Sequence, residues 1–289
     1  MTMTAQDLTK ALGGRWHRYY GLAFCPAHDN RNTPALSIAT GEDGRLLLKC
    51  FAGCAYRDIA KALEARDYID RAHPQVPKTE RPAKTSERRG KQARRVWDAA
   101  TSIHKTLAEN YLRRRGIRSD LHGSLRYHHC CWHGPSSQCL PAMIARIDGA
   151  ADFAIHRTYL APDGTGKAAV APTKMMLGAA RGGAVRLGPG DAAGPLVVAE
   201  GIETALSLPG MLDHVGPVWA ALSTSGMVNL LLPRTPGSLI IATDGDAAGH
   251  RAGQKLAKRA HALGWRVSIL EAPESCDWND MLIAEGYNQ

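Results

Sequence analysis

No stretch of this 289-residue chain is apolar for long enough to cross a membrane, and its first residues carry no apolar leader. Seven cysteines would suit disulfides in a secreted chain. Without a leader the expected compartment is the cytoplasm, where thiols stay reduced. A nucleotide-triphosphatase phosphate loop is missing as well. Around Gly166-Lys167 that pattern needs glycine at 161 and serine or threonine at 168, and the chain has Ala161 and Ala168. A phosphate-loop helicase motor is thereby excluded.

What the chain does have is positive charge. Its formal net charge is +9, enough to attract polyanions without regard to their sequence. The excess concentrates between Arg71 and Arg118, with Arg88-Arg89, Arg94-Arg95 and Arg113-Arg114-Arg115. His73 to Ser86 is rich in Pro, Lys and Thr and reads as a flexible linker. From Arg89 to Arg115, apolar residues at Val96, Ala100, Ile103, Leu107, Tyr111 and Leu112 recur at helical spacing. That predicts one helix packing its stripe on a core and turning arginines to solvent or to DNA.

Three acids mark the carboxy-terminal region. Pro195 to Ala199 is a short β-branched run ending at Glu200-Gly201, followed by a helical stretch from Ile202 to Leu208. Ser238 to Thr243 repeats the pattern, ending in Asp244-Gly245-Asp246 before a helix from about Ala248 to Leu263. Val218 to Leu222 and Val267 to Leu270 are two more apolar runs. Alternating strands and helices predict a parallel sheet covered on both faces, with its site beyond the carboxyl ends of the strands. Glu200, Asp244 and Asp246 would share that edge and could hold divalent metal for phosphoryl transfer. Asp-Gly-Asp also suits a plain turn with Asp246 as helix N-cap.

Near the amino terminus, Cys25-Pro26-Ala27-His28 and Cys50-Phe51-Ala52-Gly53-Cys54 form two ligand pairs. Between them lies a predicted hairpin, Ala35 to Ala39 and Arg45 to Lys49 around a Gly41-Glu42-Asp43-Gly44 turn. Closing it would bring three cysteines and one histidine into a tetrahedral, structural zinc site. So small a module needs that metal to fold. Tyr127 to His133, with His128, His129, Cys130, Cys131 and His133, and later Cys139, is a second cluster. Its adjacent Cys-Cys and His-His are poor chelating pairs, and a second metal there stays open.

Glu200-Gly201-Ile202-Glu203-Thr204-Ala205-Leu206-Ser207 and Ile241-Ala242-Thr243-Asp244-Gly245-Asp246-Ala247-Ala248-Gly249 resemble the Toprim domain of bacterial-type primases, topoisomerases and related nucleases. The glutamate with the Asp-x-Asp pair is that family's catalytic signature. Cys276-Asp277-Trp278-Asn279-Asp280-Met281-Leu282 is similar to the acidic segment late in primase Toprim domains, which implies Asp277 and Asp280 as further magnesium-site acids. Primases usually carry an aspartate four residues after the glutamate. This chain has Thr204 there and Glu203 one step earlier, so the role of Glu203 is open. Cys25 to Ile38, with Cys-Pro-x-His and then Thr33-Pro34-Ala35-Leu36-Ser37, resembles the zinc-binding domain that opens bacterial and phage primases. Three residues between Cys50 and Cys54 follow the spacing of many phage and plasmid members.

Pro141 to Asp148 and Ala154 to Leu160 read as two strands before a loop, Ala161 to Lys167. They resemble the primase core just ahead of Toprim, which implies Arg157, Lys167 and Lys174, and more weakly Arg146, as contacts to nucleotide phosphate or primer-template. The expected fold is α/β: a Toprim parallel sheet with flanking helices, preceded by a mixed α+β polymerase subdomain and a small zinc-ribbon-like module. The expected divisions are 1–70 for the zinc module, 71–118 for basic linker and helix, 119–190 for the first part of the core, and 191–289 for Toprim. The resemblance implies a DNA primase making RNA primers on single-stranded DNA from ribonucleoside triphosphates, with structural zinc and catalytic magnesium or manganese. It also implies a separate replicative helicase as partner. A Toprim nuclease, or a recombination mediator that binds DNA without catalysis, is the alternative.

Overall fold

In a computed structural model, residues 3–17, 19–29, 33–41, 46–69, 83–188, 194–212 and 216–286 are described. The chain divides into two compact units, Met1–Thr79 and Glu80–Gln289. The division falls inside the Pro-, Lys- and Thr-rich stretch foreseen as a linker. Residues 73–82 of that stretch lie outside the described residues, as do Glu42, Asp43 and Gly44 of the expected hairpin turn and Arg45 after it.

The first unit is one antiparallel sheet with a helix at each end of its sequence. Helix α1 (Ala5–Ala11) starts at Thr4, whose side chain accepts the Asp7 N–H. Strands β1 (Arg15–His17), β2 (Tyr20–Ala23), β3 (Leu36–Thr40) and β4 (Leu46–Cys50) then pair in chain order, and α2 (Tyr56–Glu64) closes the unit. Alternation on β3 sends Leu36 and Ile38 inward to Leu8, Leu46, Ile59 and Leu63. The β3–β4 pair is the expected hairpin, with Leu36 opposite Cys50.

The second unit opens with α3 (Ala83–Ala99), a two-residue strand β5 (Thr101–Ser102) and α4 (Leu107–Arg114). The single helix expected over 89–115 is therefore two helices, and the foreseen linker is already helical from Ala83. The break has a packing cause. Ala93, Trp97 and Ala100 join the core on one face of the sheet that follows, whereas Ile103, Tyr111 and Leu112 join the core on its other face. A straight helix cannot serve both faces. The local chemistry marks the restart: Thr106 is the N-cap of α4, and the Glu109 carboxylate accepts the Lys105 N–H at 2.6 Å.

That sheet comprises β5, β6 (Leu125–His133), β7 (Gln138–Ile147), β8 (Ala154–Tyr159) and β9 (Lys174–Leu177), antiparallel in that order. Along β7, Met143, Ala145 and Ile147 face one core while Ala142 and Ile144 face the other. The last sheet holds β10 (Val185–Leu187), β11 (Leu196–Ala199), β12 (Val218–Ala220), β13 (Ser238–Thr243) and β14 (Arg266–Glu271), in the order β10-β12-β11-β13-β14. Four strands are parallel as expected. The edge strand β10 is antiparallel to β12, an addition the apolar runs did not foreshadow. Helices α5 (Ile202–Ser207), α6 (Thr224–Asn229), α7 (Ala247–Ala262) and α8 (Trp278–Gly286) complete the unit.

Val197 and Ala199 of β11 face the same core as Met143 and Ala145, so one apolar layer joins the two sheets. Leu196 and Val198 face the opposite side, against Leu256 and Ala260 of α7. Each fully buried leucine or valine here contributes roughly 1.5–3 kcal/mol. This shared layer is what fixes the strand ends of one sheet against the side chains of the other.

Candidate metal centre and active site

In the first unit the ligand atoms of Cys25, His28, Cys50 and Cys54 all lie within 4.8 Å of one another. Gly53 has a φ of 90°, a left-handed turn that returns Cys54 toward Cys50. His28 Nδ1 lies 3.1 Å from Cys54 Sγ and 3.8 Å from Cys50 Sγ. Tetrahedral zinc, with bonds of about 2.3 Å to sulfur and about 2.0 Å to nitrogen, needs its ligands roughly 3.5 Å apart. The donor set therefore fits zinc. Burial, followed by its neighbours Cys50 and Cys25, pushes the Cys54 thiol up to about 12. Burial raises Cys25 too. A bound dication reverses that balance by pairing with the thiolates.

The second cluster does not converge in the same way. On β6, Cys131 and His133 are buried while Cys130 and Trp132 are exposed, as strand alternation requires. His133 is already committed, its two ring nitrogens lying 2.7 Å from Ser136 Oγ and 3.0 Å from the Pro172 carbonyl. Among the described residues, the Cys25 group is the one whose potential metal ligands gather this tightly.

The acids occupy the carboxyl edge of the parallel sheet. β11 and β13 are neighbours with Ala199 opposite Ala242, so Glu200 and Asp244 leave adjacent strands at one edge. Asp246 caps α7, its Oδ1 accepting the Gly249 N–H at 2.6 Å. The helix-cap reading of Asp246 is thus realised, and the capping role keeps it beside the other two acids. Gly245 has no room for a side chain, since a Cβ would lie 1.8 Å from the Pro273 carbonyl oxygen. Its N–H donates to Cys276 O and its carbonyl accepts from Ser275 N–H, both at 2.9 Å. The turn is in this way stapled to the late acidic segment.

That segment is positioned by two side chains. Trp278 Nε1–H donates to the Thr243 carbonyl at 3.1 Å. The buried Asn279 donates to Arg115 O and Ser207 Oγ and accepts from Arg115 Nε–H at 2.6 Å. Asp277 Oδ1 accepts the N–H groups of Asn279 and Asp280, and Asp280 Oδ2 accepts the Asp277 N–H at 3.0 Å. This reciprocal cap starts α8 and uses Asp280 locally. Asp277 still bears on Asp244 electrostatically.

Burial first, and then the charges of Asp244 and Asp246, push Glu200 up to about 7. Burial, then Asp277 and Asp246, push Asp244 up to about 6. Lys174 pulls both back, a Thr204 hydrogen bond assists at Asp244, and the Thr224 backbone N–H does so at Glu200. Asp244 Oδ1 is buried without a hydrogen-bond partner. Clustered carboxylates that resist ionisation, one presenting an orphaned oxygen, are a donor set suited to a hard dication.

Lys167 and Lys174 come to this region, but Arg157 does not. Lys174 sits opposite Thr158 in the β8–β9 register and shares its face, toward the joint core. Arg157 points to the other face, buried, its guanidinium 3.3 Å from the Trp132 carbonyl. Arg146 pairs with Asp148 at 3.0 Å. Glu203 is buried and meets Lys174 at 3.0 Å, Lys167 at 3.5 Å and the Tyr111 hydroxyl at 2.7 Å. Sequence reading named Tyr111, Thr204 and Asn279 but gave them no role at the site. Thr106-x-x-Glu109 was the available signal for the start of the helix that carries Tyr111.

Residues 195–288 match the Toprim domain family, which sets the class of the parallel-sheet region. Residues 87–187 match a domain of unknown function, DUF7146. No curated protein matches the chain. Among solved structures it is similar to the zinc-binding and RNA polymerase domains of the Aquifex aeolicus primase, at 15% identity and a TM-score of 0.43, covering 97% of this chain and 79% of that one. A DNA primase domain from Pseudomonas aeruginosa is similar at 17% identity and a TM-score of 0.41, covering 69% of this chain and 74% of that one. The RNA polymerase domain of Mycobacterium tuberculosis primase DnaG is similar at 15% identity and a TM-score of 0.41, covering 70% and 79%.

Proposed function

We propose that the chain is a DNA primase that joins ribonucleoside triphosphates on single-stranded DNA by metal-dependent nucleotidyl transfer. The observation that carries this reading is the convergence of Glu200, Asp244 and Asp246 at adjoining strand ends, with Asp244 Oδ1 buried and without a hydrogen-bond partner. Glu200, Asp244 and Asp246, with Asp277 alongside, are the residues that would hold magnesium or manganese; Asp280 is left to its cap. The ions would supply charge neutralisation for the attacking and leaving oxygens when a 3′-hydroxyl displaces pyrophosphate.

The chain's own residues do the rest. Lys167 and Lys174 bind and orient the triphosphate as point charges. Thr204 and the Thr224 backbone N–H favour the ionised forms of Asp244 and Glu200 respectively. Arg157, turned to the far face, has no part in the nucleotide site of this proposal. Zinc on Cys25, His28, Cys50 and Cys54 would hold the first unit in shape to read template, with a separate helicase recruiting the protein.

The test incubates the full chain with single-stranded DNA and labelled ribonucleotides, with and without magnesium. Magnesium-dependent dinucleotides are expected, and Asp244→Asn or Asp246→Asn should abolish them while DNA binding persists. Synthesis retained by either variant would remove that residue from the mechanism. Cutting of labelled plasmid without dinucleotide formation would replace the primase reading with a nuclease.

A further inference from the structure

We infer that Glu203 is a positioning residue for the triphosphate, a buried anion that sets the ammonium groups of Lys167 and Lys174 side by side, and not a ligand of the catalytic metal. The inference rests on the nucleotidyl-transfer reading and adds a role which that reading leaves unassigned.

The geometry carries it. Glu203 lies three residues after Glu200, on α5, yet its carboxylate serves a different set of partners. Oε1 accepts from the Tyr111 hydroxyl at 2.7 Å and pairs with Lys167 at 3.5 Å, while Oε2 pairs with Lys174 at 3.0 Å. These donors come from α4, from the loop after β8 and from the start of β9, so three separate elements converge on one carboxylate. Both oxygens are thereby engaged by this chain's own cations and hydroxyl. Beside it, Thr204 is the α5 side chain that reaches Asp244.

Exposure gives the arrangement a direction. The Glu203 side chain is 4% exposed, whereas Lys167 and Lys174 are 31% and 35% exposed. The anion is the floor, and two ammonium groups stand on it with open sides. Two lysines against one carboxylate leave one positive charge over, which suits a polyphosphate that meets cations on its other flank. Burial opposes the charge on Glu203, but Lys174, Lys167 and Tyr111 together outweigh it and hold the carboxyl well below the ordinary range. An ionised carboxylate so buried persists only because it is paired. Its neighbour His156, pushed down to about 3 by burial and then by Lys174, adds no charge.

The experiment titrates inorganic triphosphate calorimetrically into the full chain and into Glu203→Gln, Lys174→Met and the double variant, with magnesium present. Glu203→Gln keeps the volume and an acceptor for Tyr111, and is expected to weaken triphosphate about tenfold. In the Lys174→Met background the same change should cost less than about threefold, because the two residues act as one unit. Glu203→Asp, which keeps the charge, tests the same point should the Gln variant fold poorly, and should retain most of the affinity. In primer synthesis Glu203→Gln should raise the nucleotide KM with little change in kcat, at an unchanged magnesium requirement. Unaltered triphosphate affinity in Glu203→Gln, or additive losses in the double variant, would overturn the inference. So would a raised magnesium requirement with a fallen kcat, which would make Glu203 a metal ligand. If the wild type binds triphosphate as described but makes no product, the primase reading fails and the assignment of Glu203 stands.

Discussion

Glu200 and Asp244 keep their protons to about pH 7 and about pH 6, because burial and neighbouring acids penalise the second and third negative charges. Cation binding must then release protons, so magnesium affinity should weaken as pH falls from about 8 to about 6. Calorimetry in buffers of different ionisation enthalpy would count the released protons. In the absence of divalent cation the sign for stability follows from linkage. Both folded-state values lie above the unfolded ones, so this contribution is complete below about pH 4 and is lost progressively as pH rises from there through about 6 to 7. Melting curves without magnesium should show Glu200→Gln losing less stability than the wild type over that interval. An identical decline in both would show that Glu200 does not carry the raised value.

At the scale of elements, the Asp244-Gly245-Asp246 turn and the segment before α8 act as one clamp. Gly245→Ala forces a Cβ against the Pro273 carbonyl, a backbone atom that cannot swing away. The expected cost is roughly 1–3 kcal/mol in thermal or denaturant unfolding, with a larger loss of the proposed nucleotidyl transfer because Asp244, Asp246 and Asp277 shift together. Asn279→Ala should act similarly by releasing Arg115 and Ser207. In the first unit, zinc removal by chelator should erase amide protection in β3, β4 and α2. The second unit, with separate cores, should keep its protection; hydrogen exchange read by mass spectrometry distinguishes the two.

For the whole molecule, the net charge of +9 is distributed by task. Arg113 is bound to Glu109 and to the carbonyls of Ile117 and Ser119, and Arg115 to Asn279, so these two serve the fold. Arg88, Arg89, Arg94 and Arg95 lie exposed on α3, Arg94 stacked 3.7 Å over the Phe153 ring. If α3 tracks single-stranded template, replacing Arg88, Arg89 and Arg95 by Gln should reduce the log–log salt slope of binding by about 0.7 for each phosphate that is no longer neutralised. An unchanged slope would remove α3 from the DNA footprint.

Much of the acid edge was legible in advance, because β-branched runs alternating with helical stretches imply parallel strands, and Glu200 and Asp244 end two of them. The cysteine and histidine pairs were legible for a similar reason, since a hairpin between them leaves one way to close. The broken helix at Ala100 was not. Apolar spacing continues across the break, and only the presence of two cores, one on each face of the middle sheet, shows that Ala100 and Ile103 serve different partners.

Local chemistry in the chain thus pointed to the acid edge and to the cysteine and histidine pairs, and to the strands that carry them. Tertiary structure alone decided the rest: that Arg157 faces away from the acids, that Asp280 accepts the Asp277 N–H at the start of α8, and that Glu203 anchors two lysines. Those outcomes depend on partners such as Tyr111, separated from Glu203 by 92 positions. Spacing along a chain encodes face and period, but not which distant surface the face will meet.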